Sequence, residues 1–275
     1  MDNIMVNTVL KPLLTGNGIN FQQGDLALSG VYLIKNTDDS GIITNMVVDS
    51  GHVGMRRNLL EALVKAGMTV EDVDYIALTH VHWDHVQNVD LFPNARIVLS
   101  QAEFDSVQGA NARDLVTPSW TRALLDKDRI LTVSPGDKVV DGVEILDAAG
   151  HTAGSIAFEV VVEGEKHVIT GDALPWAEVG RLQQSALVFW NLDRSEETIR
   201  SLVKRADVIY PGHDRPFRLV NGDIRYESEF DVTVFGITPD TPGFHYGPPP
   251  ILNTIDLTDG EPVGPRWTKE ELETP

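Results

Sequence analysis

His80-Val81-His82-Trp83-Asp84-His85 puts three imidazoles and a carboxylate into six residues. A hydrophobic core has no use for such a cluster, whereas a cation does, so the stretch reads as a metal site. Asp74-Tyr75-Ile76-Ala77-Leu78-Thr79 before it is short, apolar and β-prone, which predicts a buried strand delivering His80 at its end. Asp84-His85-Val86-Gln87 after it reads as the first turn of a short helix, with Asp84 near the N-terminus, where a carboxylate is favoured. A strand end, a bend and a helix start let side chains at i, i+2, i+4 and i+5 converge on one point.

Composition limits what surrounds this site. A chain of 275 residues with 42% hydrophobic content can bury a large core. No run of 18 apolar residues occurs, and the N-terminal Met1-Asp2-Asn3-Ile4-Met5 lacks the pattern of a secretory leader, so a soluble, cytoplasmic protein is expected. With no cysteine, any metal must be held by histidine and carboxylate. The 22 basic and 41 acidic residues give a net charge of −19, a field that disfavours nucleic acid and anionic membranes as partners.

In order, the sequence predicts a strand over 3–10, a Gly- and Asn-rich loop over 13–25, and strands over 31–35 and 42–49. Leu59, Leu60, Leu63 and Val64 have helical spacing within 55–66, closed by Gly67. Strand 96–99 and helix 101–107 follow the motif, and 108–128 reads as an inserted rim with a helical piece at 120–125. Strands are predicted over 144–148, 155–162, 166–170 and, finally, 208–210. A helix over 195–205 begins with Glu196 and Glu197 in its first turn. The domain proper is expected to span 1–230, and 231–275, with eight prolines, to form an extended arm anchored by apolar side chains.

The remaining ligand-capable residues fall at strand exits beside glycines: Gly150-His151, Gly171-Asp172 and Gly212-His213. His52, His167 and His245 have no such context and are expected to be ordinary surface or core residues.

Taken together, His80, His82, Asp84 and His85, followed in order by His151, Asp172 and His213, closely resemble the metallo-β-lactamase superfamily over about residues 4 to 220. Leu91-Phe92-Pro93, Pro211-Gly212-His213 and Pro216-Phe217-Arg218 resemble a subgroup of small hydrolases of that family. The resemblance implies an α/β fold of the αββα type, with two mixed sheets face to face, helices outside and the site at one edge. It implies His80, His82 and His151 on one metal, Asp84, His85 and His213 on a second, and Asp172 bridging. Imidazole and carboxylate donors without thiolate suit zinc first, and also iron, manganese or cobalt.

The implied chemistry is hydrolysis by a metal-bridging hydroxide, with Asp84 as the catalytic proton carrier. Fold does not fix substrate. The loop 174–193 carries Pro175, Trp176, Leu182, Leu187, Val188, Phe189 and Trp190, an apolar rim suited to an ester or lactone of a small, fairly hydrophobic molecule. Relatives that open N-acyl homoserine lactones often have a tyrosine soon after the bridging aspartate, where this chain has Ala173-Leu174-Pro175-Trp176. The alternatives are a thioesterase, β-lactamase or phosphodiesterase of the same fold, or an iron-dependent oxidoreductase. The expected assembly is a homodimer.

Overall fold

Tyr32 and Ile34 are buried on one side of their strand, and Val31 and Leu33 on the other. A strand buried on both faces belongs to an inner layer. The computed structural model describes residues 7–21, 24–108 and 114–229, with the dipeptides 233–234, 244–245 and 255–256. The first sheet contains β1 (Asn7–Leu14), and a separate hairpin follows, β2 (Asn17–Phe21) and β3 (Gly24–Leu28). The sheet continues with β4 (Val31–Thr37), β5 (Ile43–Val48), β6 (Tyr75–Ala77), β7 (Arg96–Ser100) and β8 (Ile130–Val133). Its order is β1-β4-β5-β6-β7-β8, antiparallel up to β5 and parallel beyond.

The second sheet begins with β9 (Val143–Asp147), β10 (Ile156–Val162) and β11 (Glu165–Gly171). After a short β12 (Leu187–Val188) outside the sheet come β13 (Val208–Pro211), β14 (Phe217–Val220) and β15 (Asp223–Tyr226). The order is β15-β14-β13-β11-β10-β9, with only β11 and β13 parallel. Both sheets are therefore mixed, as expected.

Three apolar layers hold the sandwich. Between the sheets, Tyr32, Ile34, Met46 and Val48 of the first meet Ile145, Phe158, Ile169 and Val208 of the second. On the outer face of the first sheet, Val47, Ile76 and Ile97 take Leu59 and Leu63 of α1 (Arg56–Lys65). Short helices α2 (Trp83–Val86), α3 (Gln101–Gln108) and α4 (Thr121–Leu124) follow. On the outer face of the second sheet, Ala157, Val168 and Ile209 take Ala177 of α5 (Ala177–Leu182) and Ile199 and Leu202 of α6 (Leu192–Arg205). The result is αββα.

Several elements differ from the sequence expectation. The 13–25 loop is largely the β2–β3 hairpin, because Ile19, Phe21, Leu26 and Leu28 alternate despite the glycine and asparagine around them. The strand over 208–210 is not the last: β14 and β15 follow, turned by Asn221 and Gly222, both at positive φ, the signature of a tight hairpin. The α6 helix starts earlier, where the Asn191 side chain accepts from Arg194 N, so Asp193 rather than Glu196 and Glu197 occupies the first turn. The 174–193 loop contains α5 and β12. Most of the arm lies outside the described residues, but 233–234 pairs with 244–245, and Ile255–Asp256 pairs in parallel with Leu187–Val188.

Phe158 is fully buried between the sheets. Phe158→Ala should cost about 3–5 kcal/mol in urea-induced unfolding, because rigid sheets on either side cannot collapse into the space.

Candidate metal centre

The strand ends gather at one edge of the sandwich. Beyond β6 the chain continues extended: Leu78 N donates to Val98 O, and Thr79 O accepts from Ile156 N, a bond that joins the two sheets beside His80. His82 precedes α2, and Asp84 and His85 sit within it. His151 precedes β10, Asp172 follows β11 and His213 follows β13. All seven predicted site residues are buried and come together. Three overlapping groups have donor atoms within 4.8 Å of one another: His80, His82 and His151; His80, His85 and Asp172; Asp84, His85 and His213. His52 and His167 stay outside these groups, and His245 lies among residues whose side chains are not described.

Glycines admit this approach for two separate reasons. Gly171 holds φ +50, a conformation that favours glycine, and a Cβ there would also strike Thr79. At Gly212 space decides, since a Cβ would fall 1.9 Å from Asp172 Oδ1.

Four of the five imidazoles are hydrogen-bonded through their outer nitrogen. His151 Nδ1 donates to Leu187 O at 2.9 Å, and His213 Nδ1 to Leu28 O at 3.2 Å. His85 Nδ1 donates to Asp49 Oδ2 at 2.8 Å. Thr79 Oγ1 donates to the Asp49 carboxylate and therefore accepts from His80 Nδ1 at 3.0 Å. Four Nε2 atoms thus face inward. His82 is reversed: its Nε2 faces Asp114 Oδ2 at 3.5 Å, and its Nδ1 turns inward, 3.0 Å from His151 Nε2.

These inward atoms fit a cation. With the ring hydrogens on the outer nitrogens, His82 Nδ1 and His151 Nε2 oppose two lone pairs at 3.0 Å, which repel unless a positive charge lies between them. Among the described residues, the inward His80 Nε2, His85 Nε2 and Asp172 Oδ1 are buried without a hydrogen-bond partner, as is the outward His82 Nε2, which meets Asp114 at ion-pair distance. Asp172 lies between the groups, with Oδ1 3.3 Å from His85 Nε2 and Oδ2 3.6 Å from His151 Nε2 and 3.2 Å from His213 Nε2. Asp84 Oδ2 is also 3.2 Å from His213 Nε2.

Proton affinities divide the cluster. Burial pushes His80 well below its ordinary value and, with neighbouring His82, lowers His151 to about 4. Burial pushes His213 down too, but Asp172 and Asp84 outweigh it and bring it to about 10. His85 likewise rises, because Asp172, Asp84 and Asp49 overcome its burial. One side therefore offers neutral imidazoles, and the other, rich in carboxylate, draws positive charge.

The comparisons with known proteins agree with this arrangement. The family model described as the metallo-beta-lactamase superfamily matches residues 31–213. The chain belongs to that superfamily. It is 29% identical over 183 residues to the Xenopus laevis metallo-beta-lactamase domain-containing protein 1, covering 64% of this chain and 68% of that protein. It is 25% identical over 171 residues to an N-acyl homoserine lactonase from Bacillus sp, covering 57% and 62% respectively. The chain thus spans roughly two thirds of the length of these relatives. A probable metal-dependent hydrolase from Staphylococcus aureus superposes with a TM-score of 0.68 at 17% identity, over 84% of this chain and 99% of that one. At that identity the likeness shows the metallo-beta-lactamase fold alone.

The supporting residues escaped the sequence reading. Asp49 ends β5 at φ +57 and accepts from Thr79 N, Thr79 Oγ1 and His85 Nδ1, so one buried carboxylate orients two imidazoles. Its signal was a lone acid closing the apolar run Met46-Val47-Val48, the pattern that exposed Asp172. Glu103, also buried, accepts from Val81 N at 3.1 Å, Gly154 N at 3.0 Å and Thr152 Oγ1, clamping the His80–His82 loop to the His151 loop. Nothing in its helical context distinguishes it from a solvent-facing acid.

Asp49→Ala frees the rings of His80 and His85 at once. Zinc affinity, measured by chelator competition, should fall by about 10- to 100-fold with the domain still folded.

Proposed function

We propose that this chain is a metal-dependent hydrolase that holds two divalent ions, zinc first, and cleaves an ester or lactone of a small, fairly hydrophobic substrate. The observation that carries the reading is the Asp172 carboxylate, which reaches histidines of two separate trios. His80, His82 and His151 would hold one ion, Asp84, His85 and His213 the other, and Asp172 both. Ions so held supply Lewis acidity and acidify water enough to give a nucleophile near neutral pH.

The chain's own groups do the rest. Asp84 is 5% exposed at the inner wall and held by Ser29 Oγ, which donates to its backbone carbonyl. Its Oδ2 is placed to take a proton from the attacking water and return it to the departing oxygen. The Phe189 ring stands edge-on to His82 and His151, with centroids 4.7 and 5.1 Å away, and shields them with an apolar wall. Leu115, 65% exposed, follows Asp114 in the chain, and Trp190, 46% exposed, follows Phe189, so each adds exposed apolar surface next to a residue that meets His82. A charged substrate gains nothing from such a wall, whereas an acyl group does. Relatives named N-acyl homoserine lactonase and metallo-hydrolase support the reaction class.

The same reading takes 1–230 as the catalytic domain and 231–275 as an arm anchored on it, which the Leu187–Ile255 pairing supports. It also takes the protein to be a cytoplasmic homodimer with small molecules rather than nucleic acid or membrane as partners. Among the described residues, no helix is long and apolar enough to cross a membrane.

Elemental analysis should give about two ions per wild-type chain, and Asp172→Ala should lose both. A panel of aryl esters, lactones, thioesters, cephalosporins and phosphodiesters should rank the apolar esters and lactones first. Turnover concentrated on phosphodiesters would contradict the reading. Asp84→Asn should lower kcat by about 100-fold or more, beyond what its remaining metal content explains. Near-normal turnover with both ions retained would rule out the proton-carrier role.

A further inference from the structure

His82 differs from the other four imidazoles in where its outer nitrogen is held. His80 and His85 lean on Thr79 and Asp49 at strand ends and His151 and His213 on backbone carbonyls of the walls, whereas His82 faces a side-chain carboxylate in the 114–117 turn. Asp114 does three things at once. Its Oδ2 faces His82 Nε2 at 3.5 Å and accepts from Thr117 Oγ1 at 2.5 Å, while its Oδ1 accepts from Val116 N at 3.0 Å. The turn is closed onto the metal loop from the other side by Trp83 N donating to Val116 O at 3.0 Å. Leu115, between these contacts, is left exposed.

We propose that Asp114 is a positioning residue that couples ion occupancy at the His80–His82–His151 position to the order of the 114–117 rim, and through it to the placement of Leu115 at the substrate cleft. This rests on the two-ion reading above. An ion that draws on the His82 Nδ1 lone pair makes the Nε2 hydrogen more positive and tightens its attraction to the carboxylate. Tightening that contact fixes the carboxylate that also holds Val116 N and Thr117 Oγ1, so the turn is held more firmly when the position is filled. Linkage makes the effect reciprocal: a turn that is in place presents His82 with its Nδ1 inward and raises affinity for the ion. Glu103 cannot replace Asp114 here, because its carboxylate is committed to Val81 N, Gly154 N and Thr152 Oγ1. The rim would then form fully only on a metal-loaded enzyme, and apolar substrates would meet a finished wall only where they can be cleaved.

The test compares zinc-loaded and metal-free full-length wild type, Asp114→Asn and Asp114→Glu. Zinc binding is followed by chelator competition and amide exchange over 114–120 by mass spectrometry. In wild type, loading should slow exchange in this segment by about tenfold. In Asp114→Asn that protection should vanish and one of the two zinc-binding steps should weaken by about tenfold, the other staying put. Asp114→Glu should recover part of both. Matching melting temperatures of the metal-free forms check folding. Should Asp114→Asn misfold, Thr117→Val, which removes one donor to Asp114 and spares the carboxylate, should show a partial loss of protection. A wild type that binds two zinc ions with no change in exchange, or an Asp114→Asn protein with unaltered affinity and protection, would overturn the coupling alone. A wild type that binds no zinc would overturn both the coupling and the two-ion reading.

Discussion

An imidazole has two nitrogens, and a buried one can present a lone pair in a chosen direction only if something else holds its other nitrogen. In this protein that constraint is met by hydrogen bonds at four rings and by a facing carboxylate at a fifth, within one small volume. Asp49 orients His85 directly and His80 through Thr79, Leu187 and Leu28 carbonyls orient His151 and His213, and Asp114 faces His82. Apart from Thr79, which is itself held by Asp49, every one of these partners comes from a different part of the chain than its histidine. The centre therefore cannot form from the motif alone, and it depends on the sheets being stacked and in register. The cost of holding unpaired inward lone pairs and carboxylates is carried by the rigid interior between and outside the sheets.

This dependence explains what could be read in the sequence and what could not. His80, His82, Asp84 and His85 lie close in sequence, and His151, Asp172 and His213 each follow or precede a strand beside a glycine, so their composition announces them. Individual strands were legible as short apolar runs, but the sandwich that stacks them was implied only by the family resemblance those ligands carry. The groups that orient the ligands were not legible. Leu187 and Leu28 act through backbone carbonyls, which carry no side-chain signature, and Glu103 and Asp114 resemble any acid of an acidic protein until the fold buries the first and sets the second against His82. The β2–β3 hairpin was hidden by its glycine and asparagine content, and the β14–β15 hairpin was missed despite an Asn-Gly turn that a strict reading would have recognised.

The site's two halves differ in character. His80 and His151 are driven toward neutrality by burial, while the His85 and His213 side is dominated by Asp84 and Asp172. An ion on the first side would be bound by lone pairs, and one on the second would replace protons that the carboxylates otherwise attract. The apolar wall of Phe189 lies over the first side, against His82 and His151. Asp84, the group proposed to carry a proton, lies on the second.

The most direct test of this arrangement is the protonation pattern of the histidine rings in the zinc-loaded protein, read from long-range nitrogen–proton correlations after isotope labelling of histidine. The expected result is a proton on Nδ1 of His80, His85, His151 and His213, and on Nε2 of His82. A proton on Nε2 of any of the first four, or on Nδ1 of His82, would contradict it, because that ring would be turning its donor rather than its lone pair toward the ion.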